Sequence, residues 1–239
     1  MSLGRSRLDT LLAEKLKIKR KDVRLLLAKQ QVNVDGRRAK DVDLIVDKFS
    51  FITVDEMVVQ DNPAHYIILN KPIGVVSATT DDIHQTVIDL LDYPFKDQLH
   101  ILGRLDLNSS GLLLLTNDSR FSQRLMHPQA KVSKTYQVTL DKPLTEDMIE
   151  AFARGMYFEF EDITTQPAKL EIISEHVAQV TLTEGRYHQI KRMFGRFRNQ
   201  VVALHRDAIG RLTLDETLKP GQSRELSAKE LSFFAAKDN

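Results

Sequence analysis

One segment of the chain stands out: Gly103-Arg104-Leu105-Asp106-Leu107-Asn108-Ser109-Ser110-Gly111, followed by Leu112-Leu113-Leu114-Leu115. The four leucines predict a buried strand, and the polar run before them predicts a turn. Residues two apart in a strand share a face, so Arg104 and Asp106 are able to point into one cleft. A hairpin with an exposed ion pair has the same spacing, and the pattern leaves both interpretations open.

Two further segments carry candidate functional side chains. Residues 184–194, Glu-Gly-Arg-Tyr-His-Gln-Ile-Lys-Arg-Met-Phe, predict a helix that buries Ile190, Met193 and Phe194 and leaves Lys191 on an adjoining face. A basic amphipathic helix without a catalytic role has the same pattern. Lys134-Thr135-Tyr136 begins an alternating strand, and its tyrosine either lines a pocket or packs in the core.

The composition excludes several classes of protein. The chain has 239 residues, enough for one or two domains, and no cysteine. Disulfides, thiolate metal sites and cysteine catalysis are therefore impossible. No phosphate-binding glycine loop, dinucleotide fingerprint, nucleophile elbow or His-Glu-x-x-His pair occurs, so neither a metal nor a nucleotide cofactor is predicted. His188 and His205 are expected to be structural or to face RNA. No apolar run approaches the roughly 18 residues of a membrane helix, and no membrane association is expected.

The charges balance overall but are unevenly distributed. The chain has 34 Lys and Arg against 33 Asp and Glu, a net charge of +1. Residues 1–40 hold 12 basic and 4 acidic residues, and residues 186–211 hold seven basic residues and one acid. Residues 146–175 hold eight acids against Arg154 and Lys169. The two basic segments favour a polyanionic partner, and the excess acid is expected to lie away from them.

The periodicity predicts two domains of α+β class. Helical spacing over residues 8–16 and 23–27, short strands and the hairpin signal Asp35-Gly36 define a unit over residues 1–60, which ends at the polar segment 60–63. Residues 61–239 predict a mixed, mostly antiparallel sheet flanked by helices. The expected strands lie near 65–70, 99–104, 112–116, 134–140, 167–173, 177–183 and 200–206. The expected helices lie near 84–91, 119–126, 145–154 and 187–197, with a final helix capped by Ser227 and Glu230.

Taken in order, these motifs resemble those of the pseudouridine synthases. Asn70-Lys71-Pro72-Ile73-Gly74 and the segments 103–118, 134–136 and 184–194 carry the match, which extends from Arg7 to Leu231 and is most similar to the RsuA branch of the family. The resemblance implies that the chain isomerises a specific uridine of 16S small-subunit ribosomal RNA without a cofactor. A monomer is expected because the sequence shows no exposed apolar seam, and a cytoplasmic location is expected because the absence of cysteine fits a reducing compartment. The alternatives are a synthase acting on 23S large-subunit RNA and a non-catalytic RNA-binding factor in ribosome assembly.

The resemblance also implies roles for individual side chains. Asp106 corresponds to the catalytic aspartate, which either attacks the ribose carbon or abstracts a ribose proton. Lys191 corresponds to the cation that keeps this carboxylate ionised, and Tyr136 to the tyrosine that stacks on the base. Arg104 corresponds to the residue that fills the space left by the flipped uridine. Further RNA contacts are expected from Lys71, Arg192 and Arg186, the last of which alternatively orients the turn before the helix.

The N-terminal unit resembles the RNA-binding domain of the ribosomal-protein S-four type. Arg7-Leu8-Asp9, Arg20 and the run Val32-Asn33-Val34-Asp35-Gly36 carry this match, and Arg7, Arg20 and Arg24 are expected to bind RNA. The sequence departs from the pattern in two places. Lys19 stands where a helix-capping serine is usual, and Lys29-Gln30 stand where a glycine usually precedes the strand. The fold is expected to be retained despite both departures.

Overall fold

The computed structural model describes residues 5–235, which fall into two compact units divided between Ala64 and His65. The division follows directly after the polar segment 60–63, where the sequence predicts a boundary. Both units combine helices with antiparallel strands. Within residues 5–235, none of the helices has the length and apolar character needed to cross a membrane.

The first unit packs two helices against short antiparallel strands. Its elements are β1 (Ser6–Arg7), α1 (Leu8–Leu16), α2 (Arg20–Ala28), β2 (Val32–Val34), β3 (Arg37–Arg38), β4 (Ile45–Val46), β5 (Ile52–Val54) and β6 (Met57–Gln60). Strands pair in the order β3-β2-β5-β6, and β1 pairs with β4. Both helices contribute to one core with the sheet, through residues such as Leu12, Val23 and Ile52. The predicted hairpin is confirmed, since Asp35 and Gly36 join β2 to β3 with φ angles of +51° and +76°.

The two departures from the S-four-type pattern leave these elements intact. The Asp22 carboxylate accepts a hydrogen bond from the Lys19 N–H at 3.3 Å, which helps to cap α2 without a serine. Gln30 adopts φ +57°, the left-handed conformation that glycine takes more easily. The turn into β2 therefore forms at a conformational cost of about 1–2 kcal/mol.

The second unit is built on one mixed sheet. Its elements are β7 (Tyr66–Lys71), β8 (His100–Leu102), β9 (Ser110–Thr116), α3 (Ser119–Met126), β10 (Lys134–Leu140), α4 (Glu146–Arg154), β11 (Tyr157–Phe158), β12 (Ile163–Thr164), β13 (Lys169–Ser174), β14 (Val177–Leu182), α5 (Gln189–Gly195), β15 (Val201–Ile209), β16 (Leu212–Thr213), β17 (Ser223–Glu225) and α6 (Ala228–Ser232). Its main sheet has the order β13-β14-β10-β15-β9-β7-β17, with β16 beside β15 and β8 beside β9. Every pairing in this sheet is antiparallel except β15 with β9. The prediction of a mixed, mostly antiparallel sheet is therefore confirmed.

Strand β9 lies inside this sheet and separates two cores. Leu113 and Leu115 pack on the face covered by α4 and α5, whereas Leu112 and Leu114 pack on the face covered by α3. All four leucines are at most 1% exposed. A strand covered on both faces needs apolar residues at every position, which explains the uninterrupted run of leucines.

Most of the predicted elements of this unit are confirmed, with ends shifted by a few residues. The helix expected over residues 187–197 is shorter and spans Gln189–Gly195. The final helix has the predicted cap: Ser227 Oγ accepts from the Glu230 N–H at 3.3 Å, and the Glu230 carboxylate accepts from the Ser227 N–H at 2.8 Å.

The helix expected near residues 84–91 is wrong. Its apolar side chains are buried, as helical spacing suggested, but the segment is a series of turns. The Asp89 carboxylate accepts from both the N–H and the hydroxyl of Thr86 at 2.8 Å, and the Val87 N–H donates to the Val76 carbonyl at 3.0 Å. Local side-chain bonds of this kind compete with helical ones.

The parallel contact between β9 and β15 requires glycine at position 111. Gly111 has φ +106°, and a Cβ atom there would lie 2.4 Å from the carbonyl oxygen of Arg206 and 2.6 Å from its nitrogen. The contact aligns Ser110 with His205 and Gly111 with Arg206. It therefore sets the end of the 103–111 turn against β15.

We expect Gly111→Ala to lower the free energy of unfolding by about 3–4 kcal/mol, because the methyl group adds overpacking to left-handed strain. Gly221→Ala is the matched control: Gly221 has φ +86°, and a Cβ atom there meets nothing within 4 Å. The control should lose only the conformational part, about 1–2 kcal/mol. Urea denaturation of both variants measures the difference, and equal losses would contradict the steric argument.

Candidate active site

The turn before β9, strand β10 and helix α5 bring predicted site residues to one cavity. Arg104 and Asp106 from the turn, Tyr136 from β10 and Lys191 from α5 line a space of about 100 Å³. Lys191 Nζ donates to Asp106 Oδ2 at 2.9 Å. The two side chains are 85 residues apart in the chain, so this pair depends on the complete fold of the second unit.

Asp106 projects from an irregular turn. No strand covers residues 103–109, and the Ser109 N–H donates to the Asp106 carbonyl at 3.0 Å. Arg104 and Asp106 therefore share the cavity because the turn folds back, and strand alternation is not the cause. Arg104 is exposed and forms no ion pair with Asp106 or any other described residue. Strands β8 and β9 pair antiparallel on either side of this turn, so the hairpin is confirmed and only the predicted Arg104–Asp106 ion pair is wrong.

His188 is a neighbour of Asp106 that was not among the predicted site residues. Its Nε2 lies 3.3 Å from Asp106 Oδ2. The residue adopts φ +49° just before α5, and its ring stacks on the exposed ring of Tyr187 with 3.9 Å between centroids. The signal was available, because His188 and Lys191 are three residues apart, a spacing that puts side chains on one side of a helical turn.

Asp106 is the one carboxylate among the described residues that line the cavity. Lys191 and His188 both contact its Oδ2. Within residues 5–235, no three His, Asp or Glu side chains converge in a way that would hold a metal ion. The chemistry of the cavity therefore centres on a single carboxylate between basic groups.

Arg206 is a buried cation behind Tyr136. It is 1% exposed. Its Nη1 donates to the Tyr136 hydroxyl at 3.5 Å, its Nε to the Leu112 carbonyl at 2.7 Å and its Nη2 to the Gly103 carbonyl at 2.7 Å. Arg206 thus orients Tyr136 and holds both flanks of the turn that carries Asp106. The prediction that Arg206 belongs to a basic surface is wrong, because the side chain is buried.

Lys71 lies beneath the same turn and is not available to RNA. It is fully buried. Its Nζ donates to the carbonyl oxygens of Pro72 and Asp106 at 3.0 Å and of Ser109 at 2.8 Å. Burial lowers the pKa of Lys71 to about 8, although the Asp106 charge opposes this shift. The expected phosphate contact is therefore wrong, and Lys71 supports the turn from inside.

Arg192 lies outside the cavity and is paired with an acid. Its Nη1 and Nη2 each donate to one Glu161 carboxylate oxygen at 2.5 Å, and its guanidinium lies 3.7 Å from the centre of the Phe158 ring. The hydrogen bonds from Arg192 hold the pKa of Glu161 below its usual value. A guanidinium that is already bound to a carboxylate is a poor phosphate ligand. Arg192 is therefore not free to make the expected contact with RNA.

Arg186 lines the cavity and also stabilises the turn before α5. Its Nε donates to Glu184 Oε2 and its N–H to Gln189 Oε1, both at 3.0 Å. Further along the segment, Arg196 Nη1 lies 3.5 Å from Glu159 Oε1. Acids that the sequence places apart from the basic segment 186–211 therefore neutralise part of it.

The three arginines predicted in the first unit lie at its surface. Arg7 donates from Nε and Nη2 to the Asp9 carboxylate at 3.1 Å. Arg20 and Arg24 are exposed on successive turns of α2 and form no ion pair with a described residue. Both of these arginines are thus open to a ligand.

Comparison with known proteins agrees with this fold and site. The family of RNA pseudouridylate synthases matches residues 65–195, which include Asp106, Tyr136 and Lys191. A solved pseudouridylate synthase structure superposes with a TM-score of 0.70 at 36% sequence identity, covering 96% of this chain and 99% of the other. This chain belongs to the RNA pseudouridylate synthase family and is a pseudouridine synthase.

Relatives of nearly the same length show which pseudouridine synthases this chain is similar to. The chain is 46% identical over 226 residues to the ribosomal small subunit pseudouridine synthase A of Pseudomonas aeruginosa, covering 94% of this chain and 98% of that protein. It is 38% identical over 232 residues to the protein of the same name from Escherichia coli K12, covering 95% and 98%. The expected resemblance to the RsuA branch is confirmed by these relatives.

Lys71 should make stability depend on pH in alkaline solution. Its pKa of about 8 in the folded chain lies below the ordinary 10.5, so the unfolded chain binds more protons between these values and stability rises with pH. We expect the unfolding free energy of the wild-type chain to rise by about 2 kcal/mol relative to Lys71→Met between pH 8 and pH 10. Denaturant unfolding at several pH values measures this rise.

The control for this prediction is Lys169→Met, which removes an exposed lysine paired with Glu171. Its difference from the wild-type chain should stay constant over the same range. If the difference in unfolding free energy between the wild-type chain and Lys71→Met also stayed constant from pH 8 to pH 10, Lys71 would not be a buried lysine that titrates in this range.

Proposed function

We propose that this chain converts a uridine of small-subunit ribosomal RNA into pseudouridine and that Asp106 starts the reaction. The observation that carries the proposal is the ion pair of Asp106 with Lys191 in a cavity shared with Tyr136. The choice of the small subunit is supported by the names of relatives at 46% and 38% identity, which cover almost the whole chain.

Pseudouridine formation is an isomerisation, so its atoms balance without a co-reactant. The bond between uracil N1 and ribose C1′ breaks, the base rotates, and C5 bonds to C1′ while C5 loses a proton and N1 gains one. Asp106 either attacks C1′ or abstracts a ribose proton, and both routes need its carboxylate in the ionised form. Lys191 and His188 contact Oδ2, so Oδ1 is the oxygen that approaches the ribose.

Tyr136 and Arg104 receive the extruded nucleotide in this proposal. A base must leave its stack to reach Asp106, at a cost of a few kcal/mol. The Tyr136 ring, which Arg206 holds in place, offers an aromatic face to the uracil. Arg104 stands exposed at the cavity edge, where it fills the vacated space in the RNA and meets its phosphates.

The first unit supplies further affinity for RNA as an S-four-type domain. Arg20 and Arg24 are exposed on α2 and unpaired among the described residues, which suits contact with phosphates. Arg7 adds a third cation, although Asp9 shares its charge. In this proposal the chain works as a monomer in the cytoplasm, where ribosomal RNA is assembled into subunits.

The test is pseudouridine mapping on small-subunit and large-subunit ribosomal RNA after incubation with the purified chain. We expect one modified position in small-subunit RNA with the wild-type chain and none with Asp106→Asn. Because asparagine preserves the shape of the side chain, Asp106→Asn should bind RNA within a few-fold of the wild-type Kd.

Asp92→Asn is the matched control, since Asp92 is exposed and lies outside the cavity lining. It should keep full activity. Modification by Asp106→Asn would overturn the role of Asp106, and modification of large-subunit RNA alone would overturn the substrate. RNA binding by the wild-type chain without any modification would favour a non-catalytic assembly factor.

The contribution of the first unit is tested by Arg20→Gln/Arg24→Gln in the full chain. Each lost phosphate contact should reduce the slope of log Kd against log salt by roughly 0.7–0.9. The kcat at saturating RNA should not change, because neither residue is in the cavity lining. Arg154→Gln, which alters an arginine near Glu150, is the control. An unchanged salt slope in the double variant would refute these contacts.

A further inference from the structure

A third basic segment lies between Asp118 and Asp141. This part of the chain contains no acidic residue, and its basic residues are Arg120, Arg124, Lys131 and Lys134. It comprises α3, a short 3-10 helix at Pro128–Ala130 and the start of β10. The balanced net charge conceals this segment, because its four cations, which lie within residues 120–134, are offset by acids elsewhere in the chain.

The exposed surface of this segment, which we call the α3 face, forms a shallow depression of about 520 Å³. Its lining residues are Arg120, Gln123, Arg124, His127, Gln129 and Ala130, and none of them is acidic. Arg124 and Lys131 are exposed, and neither forms an ion pair with a described residue. Arg124 lies over the Phe121 ring at 5.7 Å, which supports its guanidinium without neutralising it.

The α3 face adjoins the candidate active site. A Cβ atom on Gly103 would lie 3.7 Å from Met126 Sδ, so the last turn of α3 packs beside the residue that precedes Arg104. At its other end the segment continues into β10 and reaches Tyr136 within that strand. The face therefore lies on the Arg104 side of the cavity.

The contrast with the segment 186–211 shows why the α3 face is suited to a polyanion. Arg192 and Arg196 are each near a glutamate, and Arg206 is buried. Arg124 and Lys131 keep their charge available. Guanidinium groups bind phosphate oxygens in a bidentate manner, and exposed amides such as those of Gln123 and Gln129 donate to phosphate and ribose oxygens.

We propose that the α3 face binds the phosphates of the RNA strand that adjoins the flipped uridine on the Arg104 side. This inference rests on the proposed function, and it adds a contact surface within the catalytic unit itself. The α3 face holds the RNA strand next to Arg104. Its contacts with the phosphates close to the flipped uridine therefore help to determine which nucleotide reaches Asp106.

The experiment compares the full wild-type chain with Arg124→Gln/Lys131→Gln on a small-subunit ribosomal RNA fragment. The matched control is Arg154→Gln/Lys169→Gln, which removes two exposed cations next to Glu150 and Glu171. Kd is measured at 50 mM and 200 mM salt, with kcat at saturating RNA and the Tm of each variant. Glutamine retains polarity, so folding should be unaffected and Tm should agree.

For the wild-type chain and the control, Kd should rise by the same factor between the two salt concentrations. For Arg124→Gln/Lys131→Gln, that factor should be smaller by about sevenfold to twelvefold, since two phosphate contacts are lost. Its Kd at 50 mM salt should be raised, and its kcat should remain within about twofold. A Kd and salt response equal to those of the control would overturn the α3 face as an RNA contact.

This outcome is separable from a failure of the proposed function. If the wild-type chain modified no uridine in small-subunit RNA, the function would fail whatever the α3 variants did. If the wild-type chain were active and the α3 variant bound RNA as well as the control, the function would stand and only the inference about the α3 face would fall.

Discussion

Two buried cations hold the turn that carries Asp106, and the rest of the site depends on them. Lys71 donates to the carbonyl oxygens of Asp106 and Ser109, and Arg206 donates to those of Gly103 and Leu112. Neither cation is paired with a carboxylate among the described residues, so carbonyl dipoles replace the water that each lost on burial. Because these carbonyls are drawn inward, the backbone of the turn is anchored from the protein side and the Asp106 side chain remains at the cavity, opposite Lys191.

The sheet topology explains how one arginine reaches so many partners. Strand β15 lies between β9 and β10, antiparallel to β10 and parallel to β9. Arg206 therefore has Tyr136 on one neighbouring strand and the Leu112 carbonyl on the other. The register of β10 against β15 shifts just before Tyr136, which re-aims that side chain. Gly111 permits the close approach of β9, so a single methyl group there would disturb the anchor of the whole turn.

Local patterns predicted the parts of this structure that local physics determines. The run Leu112 to Leu115 predicted a buried strand, and Ser227 with Glu230 predicted a cap, because these features depend on neighbours in sequence. Lys71 and Arg206 were misplaced on the surface, since a charge is buried only when distant segments supply carbonyls to it. The Arg192–Glu161 pair joins residues 31 apart, and no periodicity indicates it. Residues 84–91 had helical spacing, yet Asp89 and Thr86 formed a competing local bond.

Ion pairs between distant residues determine which basic residues of the chain are available to RNA. In the second unit, glutamates neutralise arginines around α5, while Lys191 pairs with Asp106 inside the cavity. A cavity with compensated charges has little general attraction for phosphate and selects a nucleotide by shape and by the reach of Asp106. Attraction for the RNA backbone must then come from cations that form no ion pair with a described residue, such as Arg104, Arg124 and Lys131. In the first unit, Arg20 and Arg24 are cations of the same kind. Because the cavity selects the nucleotide and other cations attract the RNA backbone, salt-dependent binding can vary without altering the chemistry at Asp106.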